Sequence, residues 1–282
     1  MNLLVVFLLI FLAVVSGDAS LRKHLYKHSL APPYTYETGS GEKREKILFH
    51  TTSGDFISSE DYLRLVPGIQ SMKGGIWGSN PINIESWQVV AVFTITGRGR
   101  LGGDGMAFWY TKTPLALGNA YGGDSIFDGL MIGVDTYDND GKRNNPYIYG
   151  ILNDGLSTFN PDDDGSRLSF NGCVSDLRNK DVKIHLRISY RREIGQLTVE
   201  VDNSGVGEAY KLCFQDNDIE LPMGYYFGIT AATGGLADDH DLYSLDFYQL
   251  NPPQKQVPDN REAPIEIDQK VFFLFFFYIS IL

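Results

Sequence analysis

Two stretches of oxygen-bearing side chains stand out: Asp135-Thr136-Tyr137-Asp138-Asn139-Asp140-Gly141-Lys142-Arg143-Asn144-Asn145-Pro146 and, a little further on, Asp162-Asp163-Asp164-Gly165. Carboxylates this dense repel one another, and a hard cation with oxygen ligands relieves the repulsion. Ca2+ suits such a segment. Asp, Asn and main-chain carbonyls in an irregular loop offer about six to eight oxygens without the rigid octahedron that Mg2+ demands. Asn, Asp and Gly are also ordinary turn formers, so a solvated turn cluster fits the same residues. An EF-hand does not fit: with Gly141 at the sixth loop position, the first falls on Thr136 and the twelfth on Tyr147, and both end carboxylates are missing.

Other chemistry finds fewer residues. A retaining glycosidase needs two carboxyls about 5.5 Å apart. On a strand, where alternate residues share a face, Glu-x-Asp-x-x-Glu would supply them. Glu200-Val201-Asp202-Asn203-Ser204-Gly205 provides only the first half of that pattern. No Gly-x-Ser-x-Gly elbow, Walker loop or His-Glu-x-x-His occurs, and the chain reads as a non-enzyme. His24, His28, His50 and His185 show no metal spacing. His240 lies among Asp238, Asp239 and Asp241, which predicts a structural hydrogen bond to a neighbouring carboxylate. The two cysteines, Cys173 and Cys213, predict one disulfide. Closing a loop of that length stabilises by about 4 kcal/mol on the chain-entropy model. The net charge of −11 argues against a nucleic-acid partner, since phosphate affinity comes from Lys and Arg.

The elements that must position these residues are strands. Val182, Ile184, Leu186, Ile188 and Tyr190 alternate with polar residues, and Leu197, Val199 and Val201 repeat the pattern after Ile194-Gly195, which predicts an antiparallel hairpin. Further strands are expected over 89–96, 107–110, 147–152, 225–231 and 243–250. Short strands punctuated by Gly, Asn and Asp predict an all-β sandwich of two antiparallel sheets over residues 24–250. Trp77, Trp87 and Trp109 are expected in its core. Residues 1–17 read as a cleaved signal peptide, because the apolar run Leu3–Val15 is shorter than the roughly 20 residues a spanning helix needs. Residues 251–270 read as a polar linker and 271–282 as an apolar tail too short to span a bilayer as a helix, which leaves membrane association open.

Four segments together resemble the L-type lectins of the secretory pathway. They are Gly97-Arg98-Gly99-Arg100-Leu101-Gly102-Gly103-Asp104-Gly105 with Ala107-Phe108-Trp109-Tyr110; Asp138 to Pro146; Cys173 with Arg178-Asn179; and Ala231 to Asp241. The likeness is nearest to the mannose-binding cargo receptors of the ER–Golgi intermediate compartment. It implies a concanavalin-A-like jelly roll that binds high-mannose N-glycans of glycoproteins through Ca2+, in the lumen of the endoplasmic reticulum, intermediate compartment or Golgi, or secreted if the tail does not anchor it. It assigns sugar contacts to Ser71, Asp104, Asn139, Gly234, Gly235 and Leu236, and it implies a cis Gly103–Asp104 bond. It assigns Ca2+ ligation to Asp135, the Tyr137 carbonyl, Asn139 and Asp164, with a second ion drawing on Asp138, Asp140 and Asn144. The family's His three residues before the Asp164 equivalent is replaced by Pro161, which has neither a ring donor nor a backbone N–H. That departure implies weaker, less pH-sensitive sugar binding, or an adaptor module of the same fold that no longer binds sugar.

Overall fold

A computed structural model describes residues 21–251. Its strands form two antiparallel sheets packed face to face, the expected jelly-roll sandwich. The seven-stranded sheet runs β14 (Ser169–Val174), β13 (Tyr147–Thr158), β12 (Ile126–Asp135), β9 (Gly105–Thr111), β18 (Tyr226–Ala232), β7 (Lys73–Gly78) and β4 (His50–Gly54). The eight-stranded sheet runs β17 (Lys211–Asp216), β16 (Gln196–Asp202), β15 (Ile184–Arg191), β8 (Trp87–Thr96), β19 (Asp239–Leu250), β6 (Leu63–Val66) and β5 (Ile57–Ser58), with β1 (Arg22–His24) also paired to β19. Two small ribbons complete the set, β2 (Thr35–Glu37) with β3 (Lys43–Glu45) and β10 (Leu117–Gly118) with β11 (Gly122–Gly123). Among the described residues no helix is long and apolar enough to cross a membrane. The signal peptide expected at 1–17, the linker from residue 252 onward and the tail at 271–282 lie outside the described residues.

Alternation explains the eight-stranded sheet. In β8 the residues Trp87, Val89, Ala91, Phe93 and Ile95 are buried while their neighbours are partly exposed. β15 buries Ile184, Leu186, Ile188 and Tyr190 likewise, with Ser189 buried between the last two, and pairs with β16 as the expected hairpin, while Val182 falls before the strand and is exposed. A single 3-10 turn, Arg192–Ile194, closes it, and Gly195 exits at φ 60°, the left-handed region that favours glycine. The inward faces of both sheets meet in one core around Trp87, Phe93, Phe108 and Phe247. Each such side chain contributes about 2–3 kcal/mol by leaving water.

The seven-stranded sheet is covered on both faces. Its outer side carries a second apolar cluster, with Trp77, Trp109, Tyr121, Phe127, Tyr149 and Phe159. All three tryptophans are therefore buried, as expected. Doubly covered strands lose alternation: every residue of β9 is buried, and so is β12 from Gly129 to Asp135. The expected disulfide joins Cys173 of the edge strand β14 to Cys213 of the edge strand β17, with Cα atoms 5.2 Å apart. It ties one sheet to the other.

Candidate functional site

Three neighbouring strands deliver the site residues to one end of the seven-stranded sheet. Gly105 of β9 faces Ala232 of β18 on one side and Asp135 of β12 on the other. Asp104, Asp135 and the 233–236 turn therefore emerge together. The Asp104 backbone is fixed in both directions: its N–H donates to the Ala232 carbonyl at 3.0 Å, and its carbonyl accepts from the Thr136 N–H and the Thr136 hydroxyl at 2.9 Å each. The Gly103–Asp104 peptide is cis, as expected.

The turn beyond β18 closes against the Asp104 carboxylate. A Cβ on Gly234 would lie 2.7 Å from both Asp104 oxygens, so a side chain there would displace the carboxylate. A Cβ on Gly235 would meet no protein atom within 4 Å, so close approach explains Gly234 and not its neighbour. Leu236 is exposed beside them. The segment around Ser71 braces this turn: the Ser71 N–H donates to the Gly234 carbonyl at 3.2 Å, and the Gln70 amide donates to the Gly235 carbonyl at 2.6 Å.

Beneath lies a clamp to which sequence reasoning assigned no role. The Arg178 guanidinium donates to both oxygens of the fully buried Asp238, each at 2.7 Å. Asp238 also accepts the Gly103 N–H at 3.2 Å, while Arg178 donates to the Gly99 carbonyl at 2.9 Å. The glycine-rich loop that carries Asp104 is thus pinned by one ion pair. Gly97 permits it, since a Cβ there would sit 1.7 Å from an Asp238 oxygen. Arg178 and Asp238 belong to distant parts of the chain, and only the Gly-rich run hinted at a backbone held close to something. His240 departs from expectation: its Nδ1 bonds the Asp238 main-chain carbonyl at 3.0 Å and not a carboxylate, while Nε2 is buried with no partner.

The acidic loop arranges the candidate metal ligands around Asp135 and Asp164. Asp135 ends β12, buried, and accepts from the Tyr137 N–H at 3.1 Å and from the Asn145 amide. A 3-10 turn, Pro161–Asp163, puts Asp164 in the left-handed region at φ 53°. Pro161 occupies the first position of that turn, where a missing N–H costs nothing and a fixed φ is an advantage. The Asp164 carboxylate accepts from the Asn139 backbone and amide N–H groups at 2.9 and 2.8 Å, and from the Asp140 N–H at 2.9 Å. Asp138 and Asp140 instead close the loop on itself. Asp138 accepts the Arg143 N–H at 3.1 Å, and Asp140 takes the Lys142 N–H and ammonium, both at 2.9 Å. Asn144 of the second candidate set is half-buried in the same loop.

Electrostatics at this end favour a cation. Burial, then the negative charge of Asp164, pushes the Asp135 carboxyl up to about 8. Burial likewise raises Asp164, and burial followed by the Asp164 charge raises Asp104. Three carboxylates drawn from water within reach of one another are costly to ionise together, and a divalent ion removes that cost. The donor set fits such an ion, because the buried Asn145 carbonyl oxygen, on the amide that contacts Asp135, has no hydrogen-bond partner. Asn145 is a ligand candidate that sequence reasoning missed in favour of Asn144. Among the described residues no three His, Cys, Asp or Glu side chains converge as a metal cluster. The set here does not require one, since it joins two carboxylates to amide and main-chain oxygens. The Asn139 amide turns its nitrogen to Asp164; reversing it would present its oxygen to an ion shared with Asp164 and release its N–H outward.

Comparison with known proteins places the chain in a family. The model of the legume-like lectin family matches residues 21–257. The protein ERGIC-53 of Homo sapiens is 34% identical over 250 residues, covering 86% of this chain and 48% of its own length. The vesicular integral-membrane protein VIP36 of Homo sapiens is 36% identical over 251 residues, covering 86% of this chain and 68% of its own. The chain spans about half the length of the ERGIC-53 relatives it matches. The VIP36 exoplasmic/lumenal domain, solved in a Ca2+/Man-bound form, superposes with a TM-score of 0.75 at 35% identity, over 83% of this chain and 94% of that one.

Proposed function

The chain belongs to the legume-like lectin family, and from that premise we propose that it binds high-mannose N-glycans of glycoproteins in a Ca2+-dependent manner, as a cargo lectin of the early secretory pathway. A lectin-family protein is a binder and not an enzyme. The observation that carries the reading is the Asp104 carboxylate, fixed through its backbone, backed by Gly234 and near enough to Asp164 to feel its charge. A carboxylate there accepts hydrogen bonds from two adjacent hydroxyls of one hexose. The released Asn139 amide and the main-chain N–H groups of Gly235 and Leu236 meet the remaining oxygens, the Gly234 N–H being held by the Leu236 carbonyl at 3.1 Å, and Ser71 lines the rim. Asp135, the Tyr137 carbonyl, Asn139 and Asp164 would hold Ca2+, with Asn145 added by its unpartnered oxygen. When bound, the ion supplies charge neutralisation and a fixed loop. The Ca2+/Man-bound VIP36 domain supports the ligand class.

Pro161 shapes the turn that ends at Asp164 and brings no titrating ring to the sugar. With Ca2+ kept saturating, so that Asp135 and Asp164 stay ionised, affinity is therefore expected to change little between neutral and mildly acidic pH, where His is the usual switch. Oligomannose titration of Asp104→Ala and Asn139→Ala chains at two pH values tests the assignment. Loss of binding in both variants, with a flat wild-type response to pH, is expected. Full binding by either variant removes that residue from the site.

A further inference from the structure

Beside the candidate glycan site a cavity of about 540 Å3 opens between the loop that leads to Asp104 and the acidic loop, with Arg100, Leu101, Tyr137, Asp138, Arg143 and Arg178 in its wall. Most charges here are already engaged. Arg178 is committed to Asp238, Asp176 on the same wall to the Lys180 ammonium at 2.6 Å, and Asp138 accepts the Arg143 backbone N–H. Arg100 and Arg143 are exposed, and among the described residues no ion pair engages either guanidinium. Asp138 is the one carboxylate of the wall without a cationic partner, so the two uncommitted guanidiniums leave a net positive charge there in a chain whose net charge is −11. A guanidinium presents a planar fork of donors that matches a carboxylate. Leu101, 62% exposed, and Tyr137, 37% exposed, add apolar surface to the same wall. Tyr137 and Arg143 share their loop with Asn139, and Leu101 precedes Asp104 by one short turn. A glycan held at Asp104 is covalently attached to a polypeptide, so contacts made by that polypeptide form at high effective concentration.

We propose that this cavity receives acidic side chains of the polypeptide that carries the bound glycan, with Arg100 and Arg143 as their partners. The inference rests on the glycan reading above, and the experiment separates the two. The full chain, saturated with Ca2+, is titrated with free oligomannose, with the same oligosaccharide on a Glu-flanked peptide, and with it on a Lys-flanked peptide. The Glu-flanked glycopeptide is expected to bind about fivefold more tightly than the free sugar. The preference shrinks as salt rises from about 50 to about 500 mM. It disappears in the Arg100→Gln/Arg143→Gln chain, which keeps wild-type affinity for free oligomannose and the wild-type melting temperature. Equal affinity for all three probes at low salt overturns the peptide surface and leaves the glycan site standing. A Glu preference that survives the double substitution overturns the two arginines as its source. No binding of any probe overturns the glycan reading and this inference with it.

Discussion

Gly234 and Gly235 are adjacent and chemically identical, yet the structure separates them. Only the first has its Cα turned onto the Asp104 carboxylate. Gly234→Ala is therefore expected to weaken mannose binding by about tenfold or more, equivalent to about 1.4 kcal/mol, because the new methyl displaces the acceptor. Gly235→Ala is expected to fold as wild type, since its Cβ meets no protein atom. Calorimetric titration of both variants checks the contrast, and equal losses would contradict it. Asp104, Asn139 and Asp164 were legible as candidates because short motifs carry them. Asn145 was not, because two consecutive Asn residues look alike until burial leaves one carbonyl oxygen without a partner.

Strands of the eight-stranded sheet were legible from alternation, as β8 and β15 illustrate. The sheet that holds the site was harder to read. β12 appeared in no expectation, because cover on both faces replaces period two with an unbroken buried run from Gly129 to Asp135. β13 extends to Thr158, beyond the stretch its Tyr and Ile residues marked. The Arg178–Asp238 clamp was invisible for a different reason: an ion pair between distant segments leaves no local pattern. Its cost is testable. Arg178→Ala leaves Asp238 buried without a counter-charge, and a loss of about 3–5 kcal/mol in unfolding free energy is expected. The loop from Gly99 to Gly103 loses its anchor in the same variant, so mannose affinity falls too. Unchanged denaturant unfolding would show that the pair does not hold the loop.

Across the whole molecule, stability should fall with acid through a residue outside the site. Burial pushes the His240 imidazole down to about 4, against 6.5 when the chain is unfolded. A depressed His is neutral in the fold, so its contribution is complete above pH 6.5 and is lost as pH falls toward 4, by about 3 kcal/mol in all. Asp238, Asp239 and Arg178 are the charges it feels. The raised Asp135 carboxyl acts with the opposite sign, since its protonation relieves the ion-free fold below about 8. The His240 dependence is accordingly clearest with Ca2+ present, where the loop carboxylates stay ionised. His240→Gln is expected to flatten the stability profile between pH 6.5 and 4, and an unflattened profile would place the acid sensitivity elsewhere.

In the proposed function a divalent ion turns the crowded oxygens around Asp135 and Asp164 into a surface that holds one hexose against Asp104. Mannose titration of the full chain, first with Ca2+ and then with a chelator in excess, tests it most directly. Saturable binding that vanishes on chelation and returns when Ca2+ is restored is the predicted result. Binding that persists in chelator, or that never appears with Ca2+ in excess, would contradict it.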